Sequence, residues 1–473
     1  MKVVRFSFLA TLALALICTP AWSAVEFFGT AKVKPSYYSN FDFDDDKSDA
    51  PIINEAGQVK GEHIRSELRL GWKASGEKWK VKMIAEADLV MEKDNVDRSF
   101  YIGAEKKDSP NTGGEFGIER AEFIYTFLPQ LELQAGWDIR ALDIKTGGLL
   151  FGDDHPFLGF RGKLAENTGY EMLYLPVQNN TKFWLDSDDP SLGLDDGSSV
   201  EGDWRVYTLK LNHRLGGEKN SMDLSPIFAY SDNRAQDADV YYYGLESTGK
   251  FGILSPSFEV LFADGEFGDG TDISSMAAYA GVKANLNMAF NPYVALRYTQ
   301  GDDDDTDNDV EGWVGITDIG RFTPLMGMDG NILGEDIGQS YGATLYSYSP
   351  ERSLPTNQYG GISNGGSGDN PGQKLVAVGA SGDLSAVIPD TVYKAQAFMI
   401  WYDETANLTN SRNPGEEVDD YAGTTFDLQL KWAASKHFGV DYIFSTFVPG
   451  DGIEDQFGDD SAFAHTLTLA WAY

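Results

Sequence analysis

The sequence predicts an all-β fold, a transmembrane antiparallel up-and-down β-barrel of about 18 strands with short periplasmic turns and long acidic extracellular loops. Three observations predict it. The chain closes on Leu467-Thr468-Leu469-Ala470-Trp471-Ala472-Tyr473, where apolar and small side chains alternate up to a terminal aromatic, as a strand must when one face meets lipid and the other a wet lumen. Segments with this period of two recur along the chain. The connections between them alternate short and long, an asymmetry that a sandwich or propeller has no reason to show.

The elements follow in order. An N-terminal segment with Lys2 and Arg5, an apolar run from Phe6 to Ile17 and small residues at Ala21 and Ser23 reads as a signal peptide over 1–23, leaving 24–473 as the barrel. That run is too short to span a bilayer as a helix, which takes roughly 20 apolar residues. Cys18, the single cysteine, lies within it, so the mature chain is expected to contain no disulfide, thiolate metal site or attached haem. Alternation then places strands near 25–37, 62–74, 77–91, 115–127, 131–142, 157–164, 168–178, 202–213 and 221–231. Nine more are expected near 239–247, 251–264, 273–285, 292–299, 374–384, 391–403, 421–434, 436–447 and 462–473. The total is even, as single-chain bacterial barrels require. With 42% hydrophobic residues, 13% aromatics and 51 glycines the composition suits one large sheet of short strands.

A short turn is expected after each even-numbered strand, at 74–77, 128–130, 165–168, 215–220, 248–250, 286–291, 385–390 and 435–437. The nine longer connections carry the whole of the formal net charge of -36, so the strands and turns together are close to neutral. An acidic rim of this kind excludes nucleic-acid binding, which needs clustered Lys and Arg. It suits a surface that stays solvated, or that holds divalent cations bridging to lipopolysaccharide phosphates.

Period two assigns each strand residue to lipid or lumen. In the third strand Trp79, Val81, Met83, Ala85, Ala87 and Leu89 share one face, with Lys78, Lys80, Lys82, Glu86 and Asp88 on the other. The fifth puts Leu131, Leu133, Ala135, Trp137 and Ile139 outward and Glu132, Gln134, Asp138 and Arg140 inward. The polar face needs water, because a Lys or Arg at the bilayer midplane costs roughly 2–4 kcal/mol. Neighbouring strands add Arg65, Glu67 and Arg69, then Arg120 and Glu122, then Arg161 and Lys163. The candidate basic track along the lumen is therefore Arg65, Arg69, Lys80, Lys82, Arg120, Arg140, Arg161 and Lys163. Two readings of it stand side by side: a ladder of weak sites for an anionic or polyhydroxylated solute, or internal pairing with the interspersed carboxylates. Opposite, the inward set is sparser, with Lys210, Asn212, Arg297, Asp427, Gln429 and Lys431.

A barrel of this width is wider than side chains alone can fill, so inward-folded loops are expected to narrow it. The first candidate is 143–156, whose Gly147-Gly148-Leu149-Leu150-Phe151-Gly152 core is too apolar for the outer surface; 300–372 is the second. The run Gly301 to Asp309 is a candidate loose divalent-cation site, a calcium site at Asp303, Asp305, Asp307 and Asp309. It is no EF-hand, since Val310 stands where the turn needs glycine and Ile316 where a bidentate carboxylate belongs. No other cofactor or metal is expected. Catalysis is not expected either: His63, His155, His213, His437 and His465 are scattered, without a His-Glu-x-x-His or a Gly-x-Ser-x-Gly.

Lys374-Leu375-Val376-Ala377-Val378-Gly379-Ala380, Asp383-Leu384-Ser385, Gly423 to Phe426 and Tyr442 to Asp451 resemble the alginate-export-type outer-membrane porins over about 100 residues. The resemblance implies a monomeric eighteen-stranded channel that passes anionic or neutral solutes by diffusion. The acidic rim departs from what an exporter of a polyanion wants. The expected function is thus a porin for small hydrophilic solutes, anionic or saccharide among them. Its expected partners are outer-membrane lipid, lipopolysaccharide and the barrel-assembly machinery acting on the C-terminal strand. The alternative is a barrel that sheaths a partner such as an electron-transfer cytochrome.

Overall fold

In the computed structural model the described residues are 25–40, 43, 62–90, 115–178, 204–234, 237–268, 270–286, 289–304, 306–316, 331–332, 340–341 and 371–473. The expected signal segment 1–23 lies outside them. Eighteen strands form one closed antiparallel sheet. They are β1 Glu26–Ser39, β2 Glu62–Ser75, β3 Trp79–Val90, β4 Glu115–Leu128, β5 Leu131–Ala141, β6 Gly152–Ala165, β7 Thr168–Gln178, β8 Trp204–Gly216 and β9 Asn220–Asn233. The second half comprises β10 Ala238–Phe251, β11 Leu254–Phe267, β12 Thr271–Ala284, β13 Asn291–Thr299, β14 Gln373–Asp383, β15 Thr391–Trp401, β16 Tyr421–Ser435, β17 Phe438–Pro449 and β18 Ala462–Ala472. Each strand pairs with the next, and β18 returns to β1 in the register Thr30↔Ala472 to Ser39↔Phe463. Closure leaves no unpaired edge, which is what hydrocarbon demands of a sheet.

The strands fall close to where alternation places them, with two informative differences. The turn expected at 248–250 lies instead at 252–253, because β10 stays paired with β9 through Phe251 and Gly252 supplies the left-handed turn at φ 61°. β6 begins at Gly152, five residues before the expected start, because Gly152 to Pro156 pair with Ala141 to Trp137 and prolong the hairpin. Asp153, Asp154 and Pro156 break the apolar alternation, so period two alone does not place that stretch in a strand.

The outer surface is apolar and aromatic. Leu70, Phe123, Trp137, Leu158, Met172, Leu209, Phe228, Leu296 and Phe426 are exposed on it. Toward the long-loop end Tyr174, Tyr207, Tyr230 and Tyr241 make one row across β7 to β10, with successive ring centroids 5.3, 6.3 and 4.8 Å apart. Toward the short-turn end Trp79, Tyr125, Phe127, Phe251, Phe290, Trp432 and Trp471 form the other belt. Two aromatic belts bracketing an apolar band are the mark of a strand-spanned bilayer.

Inside, the barrel departs from a uniformly wet bore. Val206, Ile227, Ala229, Val240, Tyr242, Leu261, Ala263, Ala277 and Tyr279 point inward from β8 to β12 and are buried. What covers them is chain from the long loops: Leu142, Leu149, Leu150 and Phe151 from the β5–β6 connection, and Trp313 and Ile316 from the connection after β13. Near the long-loop mouth Tyr402, Leu408, Val418, Phe447 and Phe43 close over with Ile453 of a four-residue helix, α1 Asp451–Glu454. The sparser inward set expected opposite the basic track thus has a structural reason: over β8 to β12 the interior is largely hydrophobic core, because loop side chains occupy it.

Candidate functional site

The charged half of the lumen runs over β1 to β7. Lys32 donates to Glu67 at 2.6 Å, and Arg69 lies 3.4 Å from the same carboxylate, which links β1 to β2. Arg69 also donates from Nε to Glu86 of β3 and from Nη2 to Glu119 of β4 at 3.2 Å. Lys82 donates to Asp138 and lies 3.9 Å from Glu122, while Arg120 reaches Asp138 at 3.5 Å. Arg140 donates to Glu122 at 2.6 Å with its guanidinium 3.8 Å from the Phe157 ring centroid. Arg161 donates to Glu132, and Gln134 donates to Glu171 at 2.7 Å. Cation and carboxylate thus alternate from Lys32 on β1 to Arg140 on β5, and the Arg161–Glu132 and Gln134–Glu171 links extend the polar wall to β6 and β7.

Five of the eight residues singled out for the basic track, Arg69, Lys82, Arg120, Arg140 and Arg161, are therefore brought together and all are ion-paired. Lys80 and Lys163 stand exposed at the short-turn ends of β3 and β6, outside the ladder proper. Arg65 faces Lys34 in the β1–β2 register, and its side chain is outside the described residues.

Glu119 is a ladder member that alternation missed. β4 carries a bulge: Ile84 of β3 pairs with Arg120 and the next residue, Ala85, with Ile118. A bulge inserts one residue and re-aims its neighbours, and here it turns both Glu119 and Arg120 toward the lumen. The sequence does hold the signal, because the outward apolar positions change phase from Ile118 to Phe123 and Tyr125. Opposite, Gly136 sits at φ 147°, where a Cβ would come within 1.9 Å of the Ala121 carbonyl oxygen, so the β4–β5 pairing needs glycine there.

The other half is sealed. The β5–β6 loop folds into the barrel and is tied by carboxylates to its wall. Asp143 accepts from Leu150 N at 2.7 Å and Phe151 N at 3.2 Å, closing the loop on itself. Glu259 of β11 accepts from Thr146 Oγ1 at 2.7 Å and Gly147 N at 2.8 Å, and Glu246 of β10 accepts from Lys145 N at 2.9 Å. Lys210 of β8 donates to both Glu246 and the Leu142 carbonyl. Gly148 adopts φ 63°, the left-handed turn that lets the loop double back. The second loop lies on the first: Trp313 Nε1 donates to the Leu149 carbonyl at 3.0 Å and Ile316 N to the Leu150 carbonyl at 2.8 Å. Both narrowing candidates therefore enter the barrel, 143–156 as the inner layer and the part of 300–372 up to Ile316 as its cover. Glu246 and Glu259 were not singled out from sequence. Isolated acids on inward strand positions look like any wetted lumen residue until the loop that needs them is in place.

On β13 to β17 the polar interior is occluded as well. Tyr293 donates to Gln396 at 2.5 Å, Gln396 to Asp427 at 2.9 Å, Arg297 to Gln373 at 2.8 Å and Gln429 to Asp441 at 2.7 Å. Lys394 is only 3% exposed, against 28% and 31% for the side chains of Arg69 and Lys82. The accessible interior thus follows the ladder of β1 to β7.

In the acidic run Asp302 accepts from Asp304 N at 3.1 Å and Glu311 N at 3.0 Å, and Asp307 accepts from Asp309 N at 2.7 Å. The Thr306 hydroxyl and amide hold the Asp304 carboxyl below its usual range. Burial, then Asp303, Asp302, Asp307 and Asp309, push the Glu311 carboxyl above its own. Asp305 of the candidate calcium site lies outside the described residues, and among the described residues no three acidic, histidine or cysteine side chains gather as a metal site.

No protein-family model matches the chain, and no curated protein matches it. Solved structures match in fold. The barrel is similar to OccAB2 of Acinetobacter baumannii, at a TM-score of 0.53 and 10% identity over 95% of this chain and 98% of that one. It is similar to OccAB3 of the same organism, at 0.52 and 10% over 95% and 100%. OccK2 (OpdF) of Pseudomonas aeruginosa, solved in complex with glucuronate, matches at 0.51 and 11% over 95% and 97%. The fold is accordingly the closed eighteen-stranded antiparallel barrel of these proteins. These matches show the eighteen-stranded barrel of the expected class, and an alginate-export-type family is not among them.

Proposed function

We propose that the chain is an outer-membrane channel passing small hydrophilic solutes by diffusion along the β1–β7 ladder, and that it performs no catalysis. The observation that carries this reading is the division of the interior. One half is packed shut by two folded-in loops, while the half bearing Arg69, Lys82, Arg120, Arg140 and Arg161 keeps its charged groups partly exposed. Alternating paired charges offer many weak, exchangeable contacts, which favour passage over capture. The glucuronate in complex with OccK2 (OpdF) is a monomeric sugar acid, of the polarity that a wall of alternating charges suits. The acidic loops oppose a polyanion at the mouth, so alginate itself is not the solute this reading favours. A sheath around a cytochrome needs a bore of domain width, and Leu142 to Phe151 with Trp313 and Ile316 occupy that space. Reconstitution into planar bilayers and liposomes tests the reading. Stepwise ion conductance and swelling in monosaccharide or uronate solutions are expected; a purified, folded barrel that gives neither would overturn it.

A further inference from the structure

The carboxylate tie of the β5–β6 loop contains one group whose hydrogen bonding is incomplete. Glu259 is 1% exposed, and its Oε2 accepts from Thr146 Oγ1 and Gly147 N. Its Oε1 is buried with no donor. Its neighbouring carboxyl is that of Asp143, 0% exposed, whose two oxygens already accept from Leu150 N and Phe151 N. Two carboxylates cannot hydrogen-bond without a proton between them, and a buried acceptor without a donor costs about 1–3 kcal/mol. A proton on Glu259 turns its orphan oxygen into a donor to Asp143 and completes both groups.

The surroundings support one such proton. From β10, Glu246 stands directly opposite Glu259 in the register, and from β12 Tyr279 does so on the other side. Lys210 of β8 is committed to Glu246, and its register neighbour on β7, Glu171, accepts from Gln134. The Lys145 side chain is exposed and contributes only its amide. With every carboxyl ionised, Asp143, Glu246 and Glu259 would be buried together with Lys210 as the one cation paired among them in the described residues, an arrangement with two uncompensated charges.

We propose that Glu259 carries a proton, donates it in a hydrogen bond to Asp143 and so forms a latch, sensitive to external pH, that holds the constricting loop against the β10–β11 wall. When pH rises enough to remove that proton, it leaves to solvent and two adjacent carboxylates remain. One of them rides on the loop and the other on the wall, so their repulsion opens the loop away from Leu261 and Tyr242 and widens the bore. The sign follows: the closed loop is stable at low and neutral pH and loses its hold as pH increases.

This rests on the channel reading, so the test has an arm independent of conductance. Leu149→Cys, at a loop position only 2% exposed, introduces a thiol into a mature chain otherwise expected to be free of cysteine. Labelling by a neutral thiol reagent is followed from about pH 5 to about pH 9, the range in which a buried carboxyl gives up its proton. The same series in a Glu259→Gln background supplies the baseline for thiolate chemistry, since the amide donates to Asp143 at every pH. The expected result is a labelling ratio, parent over E259Q, that rises at least roughly tenfold across the range, the factor for one unit of titration. Single-channel conductance should rise with pH in the parent and stay flat in E259Q. A ratio that stays level with pH, or an E259Q loop labelled as readily as the parent at high pH, overturns the latch. A rising ratio with no conductance anywhere upholds the latch and sinks the channel.

Discussion

Arg140 donates to Glu122 at 2.6 Å while its guanidinium stacks 3.8 Å from the centroid of the Phe157 ring, so the cation is clamped between a carboxylate and an aromatic face. The other cations of the ladder proper, Arg69, Lys82, Arg120 and Arg161, are likewise paired with carboxylates, and the lumen's selectivity is set by a balance rather than by bare positive charge. Glu122→Gln removes one carboxylate facing both Arg140 and Lys82. A unit charge about 7 Å from the path in water is worth roughly 0.6 kcal/mol, with opposite sign for anion and cation, so the anion-over-cation permeability ratio should rise about sevenfold. Reversal potentials in a salt gradient read this directly. Arg120→Glu with Arg140→Glu should shift the potential in the opposite direction.

Trp313 is 2% exposed and pins the cover loop to the inner loop through its indole N–H on the Leu149 carbonyl. Replacing it with alanine should remove about 3–5 kcal/mol of packing from the folded-in layer. The barrel itself does not depend on that layer for backbone pairing, so the variant should keep its folded mobility on unheated gels while its conductance and swelling rates rise.

Lys210 and Glu246 form a buried ion pair, 8% and 1% exposed at their side chains. Lys210→Met strands Glu246 without its cation and should lower stability against denaturant by about 3–5 kcal/mol. The double variant with Glu246→Gln should recover much of that loss.

These cases mark what the sequence made legible. Strand positions, closure and the inward set of β2 to β6 follow from period two, because lipid on one side and water on the other force the alternation. Glu119 escapes that rule, since a bulge shifts the phase by one residue and only the displaced Ile118–Phe123 pattern records it. The division of the lumen was half legible. Leu149, Leu150 and Phe151 are too oily for an outer loop and announce that the segment goes inside. Where it lands depends on Lys210, Glu246 and Glu259, which are far apart in sequence and meaningful only once three strands bring them under the loop.

Glu311 links loop stability to pH. Burial and the neighbouring aspartates raise its pKa, so the folded loop binds protons more readily than the unfolded chain. Stability from this group is present at low pH and is lost as pH rises through its raised value. Proteolysis within 300–316 should therefore slow as pH falls from neutral into the carboxylate range, and Glu311→Gln should flatten that dependence.

Single cysteines read the solute path most directly. Placed at Lys82 or Arg161 on the ladder, and at Ala277 or Gln429 on the sealed wall, where the native residues are 0% exposed, they can be treated with a charged thiol reagent during current recording. Current should fall stepwise for the first pair and stay unchanged for the second. Equal block from both walls, or block from the sealed wall alone, would contradict a path along β1 to β7.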